Sequence, residues 1–378
     1  HALTLIDTGS SMVFDQSHIF FDGVWGATLA EMLTAEALGW ARTLPSLAPA
    51  QPAAVRPISP LLQFDPAEQA LIAKAPHVSI EVCSESTGID LKAIAALRRQ
   101  FKHRNEALRL TVNDLLIIYR AIHAASYLPS QELRDLLQDL ANDPATRGAA
   151  EAARLALAED RLINPALLIL VDGSQPNPRD RLHPLSFEVP LGDLRLLDLH
   201  TTALQLLEHE RWAEFQDCQR TYLAMLAGFS EVAARLKALA LSGESASVGA
   251  MRLMAHLPPA LQHLLDAVPG RFDVLNDIIK GREVFSNLGV MTAQSTLRRF
   301  ITAKDDSEKK TLAWGFMTAA DNVLHVSLRD FRPHVTRFGQ AGRRNLAQRM
   351  TNEYLNEYVQ GMNRYIAELT SITQTSPK

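Results

Sequence analysis

The chain has 378 residues, enough for two domains or one large one, and its 47% hydrophobic and 21% charged content is that of a globular protein with a sizeable core. A net charge of −4 leaves no basic surplus with which to neutralise phosphates, so nucleic acid is not an expected partner. Its two cysteines, Cys83 and Cys218, lie far apart, which excludes a disulfide scaffold or a cysteine zinc site and makes a reducing compartment, the cytoplasm, the default; no apolar run reaches bilayer-spanning length.

Residues 1–7 (HALTLID) read as the body of a strand, with Leu3 and Leu5 on one face. No cap or leader precedes them, so the expectation is a chain that begins inside a domain whose first part lies elsewhere. Residues 12–19 alternate as a second strand, with Met12, Phe14, Gln16 and His18 on one face. Asp22-Gly23 breaks that strand, because glycine accepts tight-turn angles and aspartate can cap a helix that starts beyond it. From Val24 the period becomes helical, placing Leu29, Met32, Leu33, Ala37 and Trp40 on one stripe. His18 therefore leaves a strand end four residues before a turn into a helix. Regular structure on both sides holds such a residue, as a general base requires.

Five prolines between positions 45 and 60 block both helix and central strand, making residues 44–63 an extended linker. A short helix is expected after Phe64-Asp65-Pro66, then a half-buried strand over residues 77–83 (HVSIEVC). A helix over residues 90–104 comes next, opened by a break at Thr87-Gly88. In Leu110-Thr111-Val112-Asn113-Asp114, either Thr111 or Asn113 can cap an apolar helix that runs through Ala125. Residues 130–160 continue as amphipathic helix. Residues 166–171 (ALLILV) form a buried strand that ends in Asp172-Gly173 and a proline-rich loop, and a strand over 185–189 completes one wall of a cleft.

The pattern is helical throughout residues 194–241, and Pro258-Pro259 starts another helix. Residues 284–291 (VFSNLGVM) are strand-like, with small polar Ser286 and Asn287 among apolar neighbours and Gly289 permitting close backbone approach. Residues 312–319 and 322–329 read as an antiparallel pair. Leu346, Met350, Tyr354, Tyr358, Met362, Ile366 and Leu369 then space a long closing helix. Trp25 and Trp314 are expected in the core. The chain carries no HExxH, no phosphate-binding glycine loop and no GxSxG elbow.

Three of these segments together resemble the HxxxD superfamily of thioester-dependent acyltransferases, the condensation-like group, and within it the bacterial wax ester synthase/diacylglycerol acyltransferase-like branch. His18-Ile19-Phe20-Phe21-Asp22-Gly23 corresponds to the HxxxDG motif, Thr111-Val112-Asn113-Asp114 to the TVND that opens a helix, and Phe285-Ser286-Asn287-Leu288-Gly289 to the SN(V/L)-G strand. Many relatives place a second histidine where this chain has Ser17, and they carry a substantial segment before the motif.

The resemblance implies an α/β (α+β) protein of two chloramphenicol-acetyltransferase-like lobes with mixed sheets flanked by helices and a tunnel between them. Residues 1–43 would be the remnant of an N-terminal lobe carrying the motif, and residues 64–378 the C-terminal lobe. It further implies an O-acyltransferase that moves an acyl group from acyl-CoA or an acyl-carrier protein to an alcohol or amine, with no cofactor beyond that thioester and no metal. Peripheral membrane contact is compatible with it. His18 would be the base, and Asp22 would hold the turn by a salt bridge to an arginine. Gly23, Ser286 and Asn287 are open as sources of oxyanion donors, and Asn113, Asp114 and Gly289 would bind substrate or support the site. The alternatives are a non-catalytic lobe that binds an acyl chain or carrier, and a truncated, inactive condensation-like protein.

Overall fold

The computed structural model describes residues 3–16, 23–48, 64–74, 80–104, 108–160, 166–169, 185–188, 191–242, 259, 261–262, 283–290, 295–301, 311–319 and 321–375. The chain divides into two compact units, one of His1–Ser79 with Gln294–Leu297 and one of Ile80–Ala293 with Arg298–Lys378. The first therefore runs past the proline-rich stretch.

In the first unit β1 (Leu3–Asp7) pairs antiparallel with β2 (Met12–Gln16), Leu5 opposite Phe14. The turn is built by side chains: Asp7 Oδ1 accepts from Gly9 N at 2.8 Å, and Gly9 takes φ +81°, the left-handed region open to glycine. Helix α1 (Gly23–Thr43) comes next, and Gln16 Nε2 donates to Gly26 O at 3.0 Å. Glu31 on α1 gathers the amides of Thr296 and Leu297, which ties Gln294–Leu297 to this unit. Helix α2 (Pro66–Lys74) starts where expected, capped by Asp65 Oδ1 on the amides of Ala67 and Glu68.

The apolar stripe of α1 is not covered by the described residues. Met32 and Trp40 are each 63% exposed, and Trp25, expected in the core, is equally open. Of the large apolar side chains exposed among the described residues, all but Leu128, Leu155, Trp212 and Ile301 belong to this unit.

The second unit is a mixed α/β structure. Strand β3 (Val82–Asp90) leads into α3 (Leu91–Arg104), α4 (Val112–Ser126), α5 (Gln131–Asn142) and α6 (Arg147–Asp160). The short strands β4 (Ala166–Ile169) and β5 (Leu185–Glu188) pair antiparallel. Helices α7 (Leu196–Glu208) and α8 (Trp212–Ser242) come next, then β6 (Glu283–Val290), β7 (Leu312–Thr318), β8 (Val323–Asp330), α9 (Pro333–Gln340) and α10 (Arg344–Gln374).

The main sheet has the order β3-β8-β7-β6, with β6 parallel to β7 and the other neighbours antiparallel. Every residue of β7 is buried, as befits a central strand covered on both faces, and Trp314 within it is 0% exposed. Helix α10 lies across β3 and α4 and presents Met350, Tyr354, Tyr358, Met362, Ile366 and Leu369 to the core, the stripe its sequence spacing predicts. A second cluster, including Leu133, Leu137, Ala153, Val335 and Phe338, seals α5, α6 and α9. Cys83 and Cys218 are free thiols, and among the described residues no helix is long and apolar enough to cross a membrane.

Two further expectations are corrected. The strand placed at 77–83 instead occupies Val82–Asp90, and Thr87-Gly88 belongs to it rather than opening a helix. Antiparallel pairing with β8 from Val82↔Asp330 to Asp90↔Val323 decides this, and Gly88, at φ +136°, takes the register slip between Thr87 and Ile89. The helical pattern over 194–241 divides into two helices, because Glu210 adopts φ +52° and ends the ladder. Arg211 N then closes back on Leu206 O at 2.9 Å.

Helices α4 and α10 approach closely because Gly361 has no side chain: a Cβ there would meet the hydroxyl of Tyr119 well inside van der Waals contact. Tyr119 cannot swing away, since its ring packs on Tyr358 and Tyr365, each at 5.4 Å between centroids. Gly361→Ala is therefore expected to destabilise by about 1–3 kcal/mol despite the better helix propensity of alanine. A urea midpoint that rises in this variant would refute the close approach.

Candidate active site

Helix α4 begins with a reciprocal cap. Thr111 Oγ1 accepts from Asp114 N at 3.1 Å, and the Asp114 carboxylate accepts from Thr111 N at 2.8 Å. Of the two capping residues the sequence allows, Thr111 is the cap, and buried Asp114 is committed to holding the helix start. Asn113, between them, is free to turn its amide toward β6.

On β6 the bulge falls between Asn287 and Val290, where Gly289 takes φ +85°. This conformation brings Gly289 N to 2.9 Å from Asn287 Oδ1, and Asn287 Nδ2 in turn donates to Asn113 Oδ1 at 2.7 Å. The TVND and SNLG segments, 174 residues apart at this contact, thus meet side chain to side chain. Around them lies a small recess of about 10 Å³, walled among the described residues by Leu116, Ile117, Phe285 and Phe316, with Asn113, Ser286 and Asn287 as its polar groups. Phe285 and Phe316 stack with centroids 5.6 Å apart. The recess has room for about one water-sized atom, beside a few convergent polar groups.

Directly beneath, two turns along α4 from Asn113, Arg120 forks onto Glu283 of β6 at 2.5 and 3.0 Å, with both side chains almost wholly buried. The guanidinium also lies 5.5 Å from the Trp314 ring and 5.6 Å from that of Tyr354. This pair joins the same two elements, α4 and β6, that carry the two asparagines. Sequence reasoning missed it. The signal was a lone arginine in the apolar run LLIIYRAIHAA and a glutamate opening the apolar strand EVFSNLGV. One turn further on, His123 sits among the rings of Tyr127, Tyr354 and Tyr358. Burial, then the charges of Arg120 and Arg332, hold its pKa well below the ordinary histidine value.

The structure thus unites Asn113, Asp114, Ser286, Asn287 and Gly289 of the residues singled out from the sequence. Gly23, read as part of the turn before a helix from Val24, is the first residue of α1, while His18 and Asp22 lie outside the described residues. Family models, curated proteins and solved structures were all compared with the chain, and none matches it.

Proposed function

We propose that the chain is a thioester-dependent acyltransferase built on chloramphenicol-acetyltransferase-like lobes, moving an acyl group from a CoA or carrier-protein thioester to a hydroxyl or amine. The observation that supports this reading is the Asn113–Asn287 hydrogen bond, which joins two of the three segments carrying the resemblance within one recess. The chemistry needs a base and an oxyanion donor. A hydroxyl is a poor nucleophile at neutral pH, so the His18 imidazole takes its proton as the oxygen attacks the thioester carbon. The tetrahedral oxyanion that forms must meet preorganised N–H or O–H donors. Its collapse expels the thiolate, which regains the proton from imidazolium to leave a free thiol and the new ester.

The test is His18→Ala. Free thiol released from acyl-CoA in the presence of an alcohol acceptor is expected to fall at least about 10²-fold, with the thermal midpoint unchanged. Undiminished turnover in the variant would discard the reading.

The exposed apolar surface of the first unit favours a second reading, a non-catalytic lobe that holds an acyl chain or carrier and docks to a partner. Calorimetric binding of acyl-CoA without product formation by the wild-type chain would select it.

A further inference from the structure

The recess of the second unit has a polarity that can be read from one backbone amide. A peptide N–H can only donate, so the contact from Gly289 N fixes the oxygen of the Asn287 amide on that side. Its nitrogen must then face Asn113, which turns the Asn113 oxygen toward Asn287 and leaves the Asn113 amino group as the exposed end of the relay. Among the described residues neither N–H of that amino group has an acceptor, and Ser286 Oγ, the other polar group of the recess, is likewise uncommitted. The surrounding walls are the apolar side chains of Leu116, Ile117, Phe285 and Phe316. What this arrangement recognises is an acceptor atom carried by an otherwise apolar group. A cation is disfavoured, because the amide presents hydrogens and, among the described residues, no carboxylate lines the recess.

We infer that the Asn113 amino group, oriented through Asn287 by the Gly289 backbone, binds the carbonyl oxygen of an acyl substrate. This rests on the acyltransferase reading and specifies which group of the thioester the recess takes. Asn113 is a carbonyl-binding residue in this scheme, and Asn287 a positioning residue.

Two isosteric changes separate orientation from mere structure. Asn113→Asp keeps the oxygen that accepts from Asn287 but removes the amino group. Asn287→Asp keeps the acceptor for Gly289 but presents oxygen to Asn113, whose amide then reverses and turns its carbonyl into the recess. The probes are butyryl-CoA and S-butyl-CoA, the thioether without the carbonyl oxygen, titrated calorimetrically into the full chain.

The wild type is expected to bind butyryl-CoA roughly tenfold more tightly than the thioether, the worth of one or two neutral hydrogen bonds. Both variants should bring the two affinities within about twofold, chiefly by weakening the thioester, with the thermal midpoint and thioether affinity kept. A preference that survives in Asn113→Asp overturns the inference and leaves the acyltransferase reading standing, as does equal binding of both probes by the wild type. Failure of the wild type to bind either probe overturns both. Should Asn113→Asp not fold, Asn287→Asp alone decides in the same way.

Discussion

Arg120→Met is expected to cost about 3–5 kcal/mol of stability, a large part of what a domain of ordinary stability possesses. The loss does not come from a strong attraction being removed. Glu283 is 1% exposed, and without Arg120 its carboxylate is left charged in the interior or must take up a proton there. The partner test is the double variant Arg120→Met/Glu283→Leu, in which both charges disappear. Its urea midpoint should recover most of the loss, because an apolar pair of similar volume avoids the desolvation cost. Arg329–Glu81, with side chains 21% and 32% exposed, is the contrast: Arg329→Met should change the stability by less than about 1 kcal/mol. A double variant as unstable as the single one would show that the pair itself, and not the stranded carboxylate, holds α4 on β6. If Arg120 and Glu283 set the register that places Asn113 beside Asn287, the double variant should also lose thioester binding while remaining folded.

Acid should destabilise the second unit in two stages, and the sign of each is set by buried groups around Asp330. His334 is 0% exposed, and burial, with Arg332 adding to it and the Asp330 charge opposing, brings its pKa down to about 4. An unfolded histidine titrates near ~6.5, so between about pH 6.5 and 4 the unfolded chain takes up a proton that the folded chain refuses. Stability is therefore full above that window and falls through it by about 3 kcal/mol for this residue alone. His123, lowered for the same main reason, works in the same direction.

The second stage belongs to Asp330 itself. Burial raises its pKa, but the Arg332 charge and hydrogen bonds overcome this and hold it at about 2. Thr351 Oγ1 also donates to it, at 2.9 Å. Its contribution is present above the unfolded value near ~4 and is lost as pH falls from there to about 2. Denaturant midpoints followed from pH 7 to 2 should show both descents. His334→Phe should shallow the first stage and diminish the second only slightly, because Arg332 lowers the Asp330 pKa more than His334 does. Neither ring nitrogen of His334 has a hydrogen-bond partner among the described residues, and the ring packs edge-on to Phe338. A wild-type midpoint that stays level between pH 6.5 and 4.5 would remove the argument.

Both predictions concern groups that the sequence shows without ranking. Periodicity alone located α10, since seven apolar residues at helical spacing describe a stripe whatever it packs against. It also located the β7–β8 pair and the start of α4, where Thr111 and Asp114 satisfy each other within four residues. Strand β3 escaped it. Ser84, Glu85, Ser86 and Thr87 carry no apolar alternation, and only the hydrogen-bonding edge of β8 makes them a strand. The break between α7 and α8 escaped it too, because a single left-handed residue at Glu210 leaves no mark on an otherwise helical pattern.

The sequence by itself determined the helices and strands whose signals are local, the composition of the core, and the residue types at the candidate site, Asn113, Ser286, Asn287 and Gly289 among them. Only the tertiary structure decided that Asn287 meets Asn113, that Arg120 lies against Glu283, and that Asn287 takes its amide oxygen to Gly289 and its nitrogen to Asn113. The reason is physical. A hydrophobic period reports that a face is buried but not what buries it, and a polar side chain acquires direction only from the donor or acceptor that folding places opposite it.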